Sequence, residues 1–216
     1  MKIVAISDTH SYHRKIEVPD ADTLICCGDI SYRGELSIIE DFSLWLKELP
    51  HKNKIVIFGN HELGMEKGPK RPRAIKFIED AGAHYLENSS VVIDNIKFYG
   101  SPASPWFYNW EWNYFRGKEI AKIWKKIPDD TNVLITHGPP YGILDLVEDF
   151  SEADPHVGCK DLLERIKFLR EIDAHFFGHL HLEGGKTVTV NNTKYVNAAV
   201  CTDQYKPINK PVVIEI

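Results

Sequence analysis

The chain has 216 residues, 43% of them hydrophobic and 26% charged, the balance of an ordinary folded protein of about one domain. That balance excludes a disordered, collagenous or coiled-coil chain, and apolar runs of at most four residues are far short of the roughly 20 that a membrane-spanning helix needs. A formal charge of −5 argues against a surface that coats nucleic acid.

In chain order, short β-branched runs at residues 3–6 and 23–27 read as strands, followed by a helix over 36–49 in which Leu36, Ile39, Phe42, Leu46 and Leu49 share one face. A strand at 54–58 and a helix at 73–80 come next, then strands at 91–93 and 96–99, a helix at 118–126, a strand at 132–136 and a helix at 159–171. A strand at 174–177 leads to Gly184-Gly185, beyond which runs at 187–190, 195–200 and 212–216 look hairpin-like. Strands alternating with helices predict a mixed α/β domain, expected to span residues 1–216. The opening apolar run passes straight into Asp8, which argues against a secretory leader. Cys26, Cys27, Cys159 and Cys201 show no zinc or disulfide spacing, and adjacent Cys26 and Cys27 on a strand point to opposite faces. They read as buried apolar residues of a reducing, cytoplasmic compartment.

Five of the strand-like runs end in the same chemistry. They deliver Asp8-Thr9-His10, Gly28-Asp29, Gly59-Asn60-His61-Glu62, His137-Gly138 and Gly178-His179-Leu180-His181. Ligands of open α/β sheets bind beyond the carboxyl ends of strands. On extended backbone, residues i and i+2 share a side, so Asp8 with His10, and His179 with His181, would each aim two donors at one spot. Taken singly, each motif has an ordinary reading as a turn or strand cap. Together they supply carboxylate, carboxamide and imidazole donors without thiolate, too many for one tetrahedral ion. The set suits two divalent ions sharing a carboxylate: manganese first, with iron, zinc, cobalt or nickel also compatible. Such a pair can hold a bridging hydroxide and stabilise in-line displacement at phosphorus.

In this order, D-x-H, GD, GNHE, THG and GHLH resemble the calcineurin-like metallophosphoesterase superfamily, from Asp8 to His181. Segments between them, including Pro105-Trp106-Phe107, Asn109-Trp110, Arg116-Gly117 and Thr136 to Pro140, are similar to the branch of metallophosphoesterase-domain proteins of vertebrate brain. Some members of that branch carry glycine at a site histidine, with weakened activity; this sequence keeps both His179 and His181. The resemblance implies a two-sheet β-sandwich with helices on both outer faces, an αββα arrangement. It also implies one ion on Asp8, His10, Asp29 and His181, and another on Asp29, Asn60, His137 and His179. His61 would stay off the metals and protonate the leaving oxygen or hold the phosphate, oriented in many relatives by a carboxylate that this sequence does not reveal.

Other candidates concern substrate. Residues 105–115 hold seven aromatics, among them Trp106 and Trp110 beside Asn109, and could stack on a flat group or pack a loop onto the core. Lys67, Lys70, Arg71 and Arg73 could meet substrate phosphate or form a solvated face, and His13 or His156 could touch substrate. His51 and His84 read as surface and His175 as structural. The function expected is a dinuclear phosphoesterase acting on small phosphodiesters or nucleotides rather than extended nucleic acid. A phosphomonoesterase or protein phosphatase, or a scaffold that has lost catalysis, are the alternatives.

Overall fold

The computed structural model describes residues 1–147 and 155–216. The strands are β1 (Lys2–Ile6), β2 (Thr23–Cys26), β3 (Asn53–Val56), β4 (His84–Tyr85), β5 (Ser89–Ile93), β6 (Ile96–Ser101), β7 (Ser104–Pro105) and β8 (Asn113–Tyr114). They continue as β9 (Val133–Thr136), β10 (Ala174–Phe177), β11 (Thr187–Val190), β12 (Thr193–Asn197) and β13 (Val212–Glu215). The α-helices are α1 (Leu36–Glu48), α2 (Arg71–Asp80), α3 (Lys118–Trp124) and α4 (Lys160–Ile166).

Two large mixed sheets result. One has the order β13-β1-β2-β3-β4, the other β11-β12-β10-β9-β6-β5, and β7 with β8 forms a separate small ribbon. The inner faces meet in one apolar layer that includes Ile3, Ile25, Ile57, Phe98, Ile135 and Phe176. The outer face of the first sheet packs under α1 and α2 through Val4, Leu24, Phe58, Phe42, Leu46 and Ile78. The outer face of the second packs under α3 and α4 through Leu134, Phe177, Ile120, Trp124 and Leu162. The layers are therefore α, β, β, α, as expected. Because successive strand side chains alternate faces, Cys26 lies in the outer layer and Cys27 in the inter-sheet layer. All four cysteines are buried and unpaired.

The differences from the sequence reading are local. α2 starts two residues early because Pro72 suits a helix's first turn. α4 stops at Ile166, after which Leu169 N–H closes onto Ile166 O at 2.9 Å as a tighter turn. β12 ends at Asn197, and the chain then crosses toward the other sheet, with Ser7 bridging Ala199. The hairpins β5–β6 and β11–β12 turn on Asp94-Asn95 and Asn191-Asn192, all four residues at positive φ, as two-residue hairpin turns require. His51 is buried, its Nε2 donating to Pro19 O at 2.9 Å, so the surface expectation for it does not hold. Among the described residues no helix is long and apolar enough to cross a membrane.

Candidate metal centre

The carboxyl ends of the central parallel strands of both sheets converge on one spot. β1 delivers Asp8 and His10, β2 delivers Asp29, β3 delivers Asn60 and His61, β9 delivers His137, and β10 delivers His179 and His181. The turns are not extended. Asp8, His10, Asp29 and His179 have φ of 54°, 40°, 53° and 67°, left-handed values that are uncommon outside glycine and cluster at functional sites. The side-sharing argument from extended backbone therefore fails. The pairs converge because the turns wind back: His10 N–H bonds Asp29 O at 3.0 Å and Asp8 N–H bonds Gly28 O at 2.9 Å, zipping the first two turns together.

Each carboxylate is held by the backbone of another turn. His179 N–H donates to Asp8 Oδ2 and His61 N–H to Asp29 Oδ1, both at 2.9 Å. Two glycines make the room. A Cβ on Gly59 would stand 2.3 Å from Asp29 Oδ1 and 2.6 Å from the His137 ring, and one on Gly178 would stand 2.1 Å from Asp8 Oδ2.

Three rings are fixed from behind by carbonyl oxygens. His137 Nδ1 donates to Cys27 O, His181 Nδ1 to Thr202 O and His61 Nδ1 to Tyr32 O, each at 2.9 Å. A carbonyl can only accept, so these Nδ1 atoms carry protons and the Nε2 atoms turn inward, which leaves those of His137 and His181 available to a cation. Ligands about 2.1 Å from one ion stand about 3.0–3.4 Å apart. His10 Nε2 and His181 Nε2 are 3.2 Å apart, His181 Nε2 and Asp8 Oδ1 3.2 Å, and His137 Nε2 and Asp29 Oδ1 3.3 Å. Asn60 Oδ1 lies 2.7 Å from His137 Nε2. Donor groups formed by Asp8, His10 and His181 and by Asp29, His137 and His179 can each hold a cation. A third group, His10, Asp29 and His61, overlaps both; His61 Nε2 lies 4.0 Å from Asp29 Oδ2.

Burial would raise the Asp8 carboxyl, but its hydrogen bond to His181 and the charges of His181 and His137 together outweigh this and hold it at about 2. Burial would also raise Asp29, but His137 keeps it well below the usual carboxylate range. Burial pulls His137 down, yet Asp29 overrides this and lifts it to about 9, so the cluster already draws positive charge in the form of a proton. Burial lowers His10 and His179 to about 4, which leaves them neutral, the form in which imidazole ligates. The residues present therefore fit a pair of divalent cations.

Two contributions were not read from the sequence. Glu62 is fully buried, and its carboxylate accepts from the N–H groups of Asp29, Ser31 and Gly59 at 3.1, 3.0 and 2.7 Å and from Ser31 Oγ at 3.1 Å. Burial and the neighbouring Asp29 charge push it up to about 8. It ties the turn bearing Asp29 to the turn bearing Asn60 and His61, and its place in GNHE was the available signal. Tyr32 and Tyr205 also crowd the site, with Tyr205 4.8 Å from both the Tyr32 and His10 rings; loop tyrosines gave no signal.

The other sequence candidates divide. Trp110 packs on His61 with ring centroids 4.2 Å apart, in a cavity of about 410 Å³ above Asp29, Asn60, His179 and His181. Trp106 lines a neighbouring cavity and stacks on Phe115. Asn109 is exposed and lines neither cavity among the described residues. His13 turns away from the site, its Nε2 2.9 Å from Asp41 and its ring against Phe42, because a short 3₁₀ turn follows the ligand turn. Arg71 is spent on Glu87 at 2.7 Å, and Lys70 on Gly34 O at 3.0 Å. His156 bonds Asp145 at 2.6 Å.

An αββα fold and an Asp/Asn/His donor cluster at the ends of its strands are thus on one chain. Residues 1–183 match the model of the calcineurin-like phosphoesterase family, and the chain belongs to that family. It is similar to metallophosphoesterase domain-containing protein 1 of Homo sapiens, 37% identical over 234 residues that cover 100% of this chain and 71% of that protein. Among solved structures it resembles TT1561 of Thermus thermophilus (TM-score 0.59, 12% identity, 91% of this chain and 88% of that one). It also resembles a putative 5'-nucleotidase from Staphylococcus aureus (TM-score 0.55, 12% identity, 100% and 54%). At such identities the structures speak for the fold alone. As a member of this family, the chain is a metal-dependent phosphoesterase.

Proposed function

We propose that this phosphoesterase is a dinuclear phosphodiesterase of small substrates, nucleotides among them. Asp8, His10, Asp29 and His181 would hold one ion and Asn60, His137 and His179 the other, with Asp29 shared. Two divalent ions there, manganese first, would activate water and neutralise charge on the phosphoryl oxygens. The observation that carries the diester preference is the lining of the cavity above them. Beyond the ligands and His61 it is built of Phe107, Tyr108, Trp110, Leu146, Leu182 and similar residues, with Asp203 at the rim and no lysine or arginine among the described residues. A dianionic monoester usually meets cationic side chains; a monoanionic diester with apolar substituents suits this wall better.

The chain's own residues supply the proton. His61 commits its Nδ1 proton to the Tyr32 carbonyl, which leaves Nε2 facing the cavity. A protonated Nε2 there gives its proton to the departing oxygen, which an alkoxide leaving group needs. The role of the orienting carboxylate expected for this histidine falls to that backbone carbonyl. Trp110 against the ring limits its swing. Four buried unpaired thiols support a reducing, cytoplasmic setting.

The test is hydrolysis of p-nitrophenyl monoesters, linear and cyclic diesters and nucleotides by protein reconstituted with manganese, iron, zinc, cobalt or nickel. Higher kcat/KM on diesters, abolished by chelation, is expected. A preference for monoesters moves the assignment to a phosphomonoesterase or protein phosphatase, and metal-bound protein with no turnover on any of them makes it a binding scaffold.

A further inference from the structure

Beside the cavity above the ligands lies a second one, of about 290 Å³. The two share Phe107, Val147, His179 and Leu180, so they adjoin at His179, a member of the donor group with Asp29 and His137. His61, Trp110 and Tyr205 line only the first. The second is walled on one side by Pro105, Trp106 and Phe107 and on the other by Pro139, Val157 and Gly158.

Both walls are built rather than incidental. Trp106 N–H bonds Tyr114 O at 2.8 Å, extending the β7–β8 ribbon, and Trp106 lies nearly parallel to Phe115, at 20° with centroids 5.8 Å apart. Arg116, from the aromatic side, donates to Gly158 O at 2.7 Å and Val157 O at 2.6 Å, bridging to the facing wall. Cys159 N–H bonds Pro139 O at 3.0 Å and ties the two parts of that facing wall together. Trp106 nonetheless stays 52% exposed, so its indole is not consumed by packing.

We propose that this second cavity is the subsite for the ester substituent that stays on phosphorus, and that it takes a flat, uncharged aromatic or heterocyclic group against Trp106. The proposal rests on the phosphodiesterase reading. In an in-line displacement the departing oxygen lies on the side of the acid, and the retained substituent lies off that axis. The cavity that reaches His179 but not His61 is therefore the place for the retained group. Among the described residues its walls are apolar apart from His179 and Arg116, and the guanidinium of Arg116 is already committed to two carbonyls, so a second phosphate finds no dedicated partner there. Its volume is roughly twice the ~150 Å³ void that admits one benzene ring.

The test holds the leaving group constant. Full-length manganese-loaded protein is assayed with phenyl p-nitrophenyl phosphate and methyl p-nitrophenyl phosphate, both normalised to their uncatalysed rates. The wild type should favour the phenyl ester in kcat/KM by about tenfold, the scale of one ring stacked on an aromatic side chain. Trp106→Ala should bring that ratio close to one, and Trp106→Phe should keep most of it. Binding of phenylphosphonate against methylphosphonate, measured by calorimetry on the same protein, gives a second reading independent of turnover. The phenyl compound should bind about tenfold tighter in the wild type and lose that margin in Trp106→Ala. A wild type without the phenyl margin, or a Trp106→Ala variant that keeps it, overturns the subsite. So does an equal loss on both esters, which assigns Trp106 to packing. If neither ester is hydrolysed but the phosphonate margin and its loss are seen, the subsite stands and the phosphodiesterase reading falls.

Discussion

The ligand turns and the aromatic segment at 105–115 face each other across one cavity and are built on opposite terms. Asp8, Asp29, His137 and their neighbours are buried, and each carboxylate and most rings are fixed by a backbone group of another turn. The aromatic segment keeps Trp106, Phe107, Tyr108 and Phe115 between 49% and 66% exposed. It is anchored by a few polar ties: Glu66 accepts from Trp112 N–H at 3.0 Å and from Tyr114 Oη at 2.9 Å, and Glu111 accepts from Gly64 N–H at 3.0 Å. The difference separates two jobs. Chemistry needs donors held to a fraction of an ångström and shielded from water, whereas selection of a substituent needs apolar surface open to whatever arrives.

The sharpest way to break this division is to remove the carboxylate proposed to be shared by the two ions. Asp29 belongs to two of the candidate donor groups and balances His137, His61 and His10. Asp29→Ala should lower the metal content of reconstituted protein from two ions to fewer than one and abolish turnover. Elemental analysis showing two ions and full activity would sink the shared-ligand reading. His61→Ala comes next. It should keep two ions and slow alkyl or nucleotide esters by about 10²–10⁴-fold, while p-nitrophenyl esters, whose leaving group needs little protonation, lose clearly less at saturation. Equal losses on both would make His61 a phosphate clamp. Loss of metal instead would put it among the ligands, as its grouping with His10 and Asp29 allows.

Glu62 tests whether the turns act as one unit. Four donors point at its two oxygens, two at each, so in Glu62→Gln the amide NH₂ must face N–H groups whichever way it turns. Groups that support ligands from behind typically matter by about 10–100-fold in metal affinity, and that loss is expected here, measured by competition with a chelator. Unchanged affinity in a folded Glu62→Gln protein would reduce Glu62 to a spacer.

The sequence made the donors legible because Asp, Asn and His at the ends of apolar strands have few cheaper explanations when five such ends recur. The layers were legible because period-2 and period-3.6 patterns survive in the strands and in α1. What stayed hidden depends on contacts between distant loops. Nothing local marks Asp8 or His179 for left-handed backbone, Tyr205 for the site, or His13 for a turn away from it. Arg71 looked like a phosphate ligand because sequence cannot show that Glu87 neutralises it. Trp106 and Trp110, four residues apart, were equivalent candidates to stack on a flat group, but they line separate cavities.

The smallest expected effect comes from a residue beneath the ligand turns. His175 is fully buried on β10, and its Nε2 lies 2.8 Å from Thr136 Oγ1. That hydroxyl in turn donates to Gly138 O at 2.7 Å, so the His175 Nε2 must be the donor to it, and the two bonds brace the turn that carries His137. Burial holds the imidazole at about 3, against ~6.5 in an unfolded chain. Between those values the unfolded chain binds the extra proton. The contribution to stability is therefore present in full above ~6.5 and declines as pH falls toward the folded value, by about 1.4 kcal/mol per pH unit. His175→Gln retains an N–H for Thr136 but does not titrate. Its denaturant-measured stability should fall less steeply than the wild type's between roughly pH 6.5 and 5. The difference between the two curves isolates this group from other titrations. Parallel curves would mean that water reaches the ring, and that the rigid side of the site is less sealed than its carbonyl-braced histidines imply.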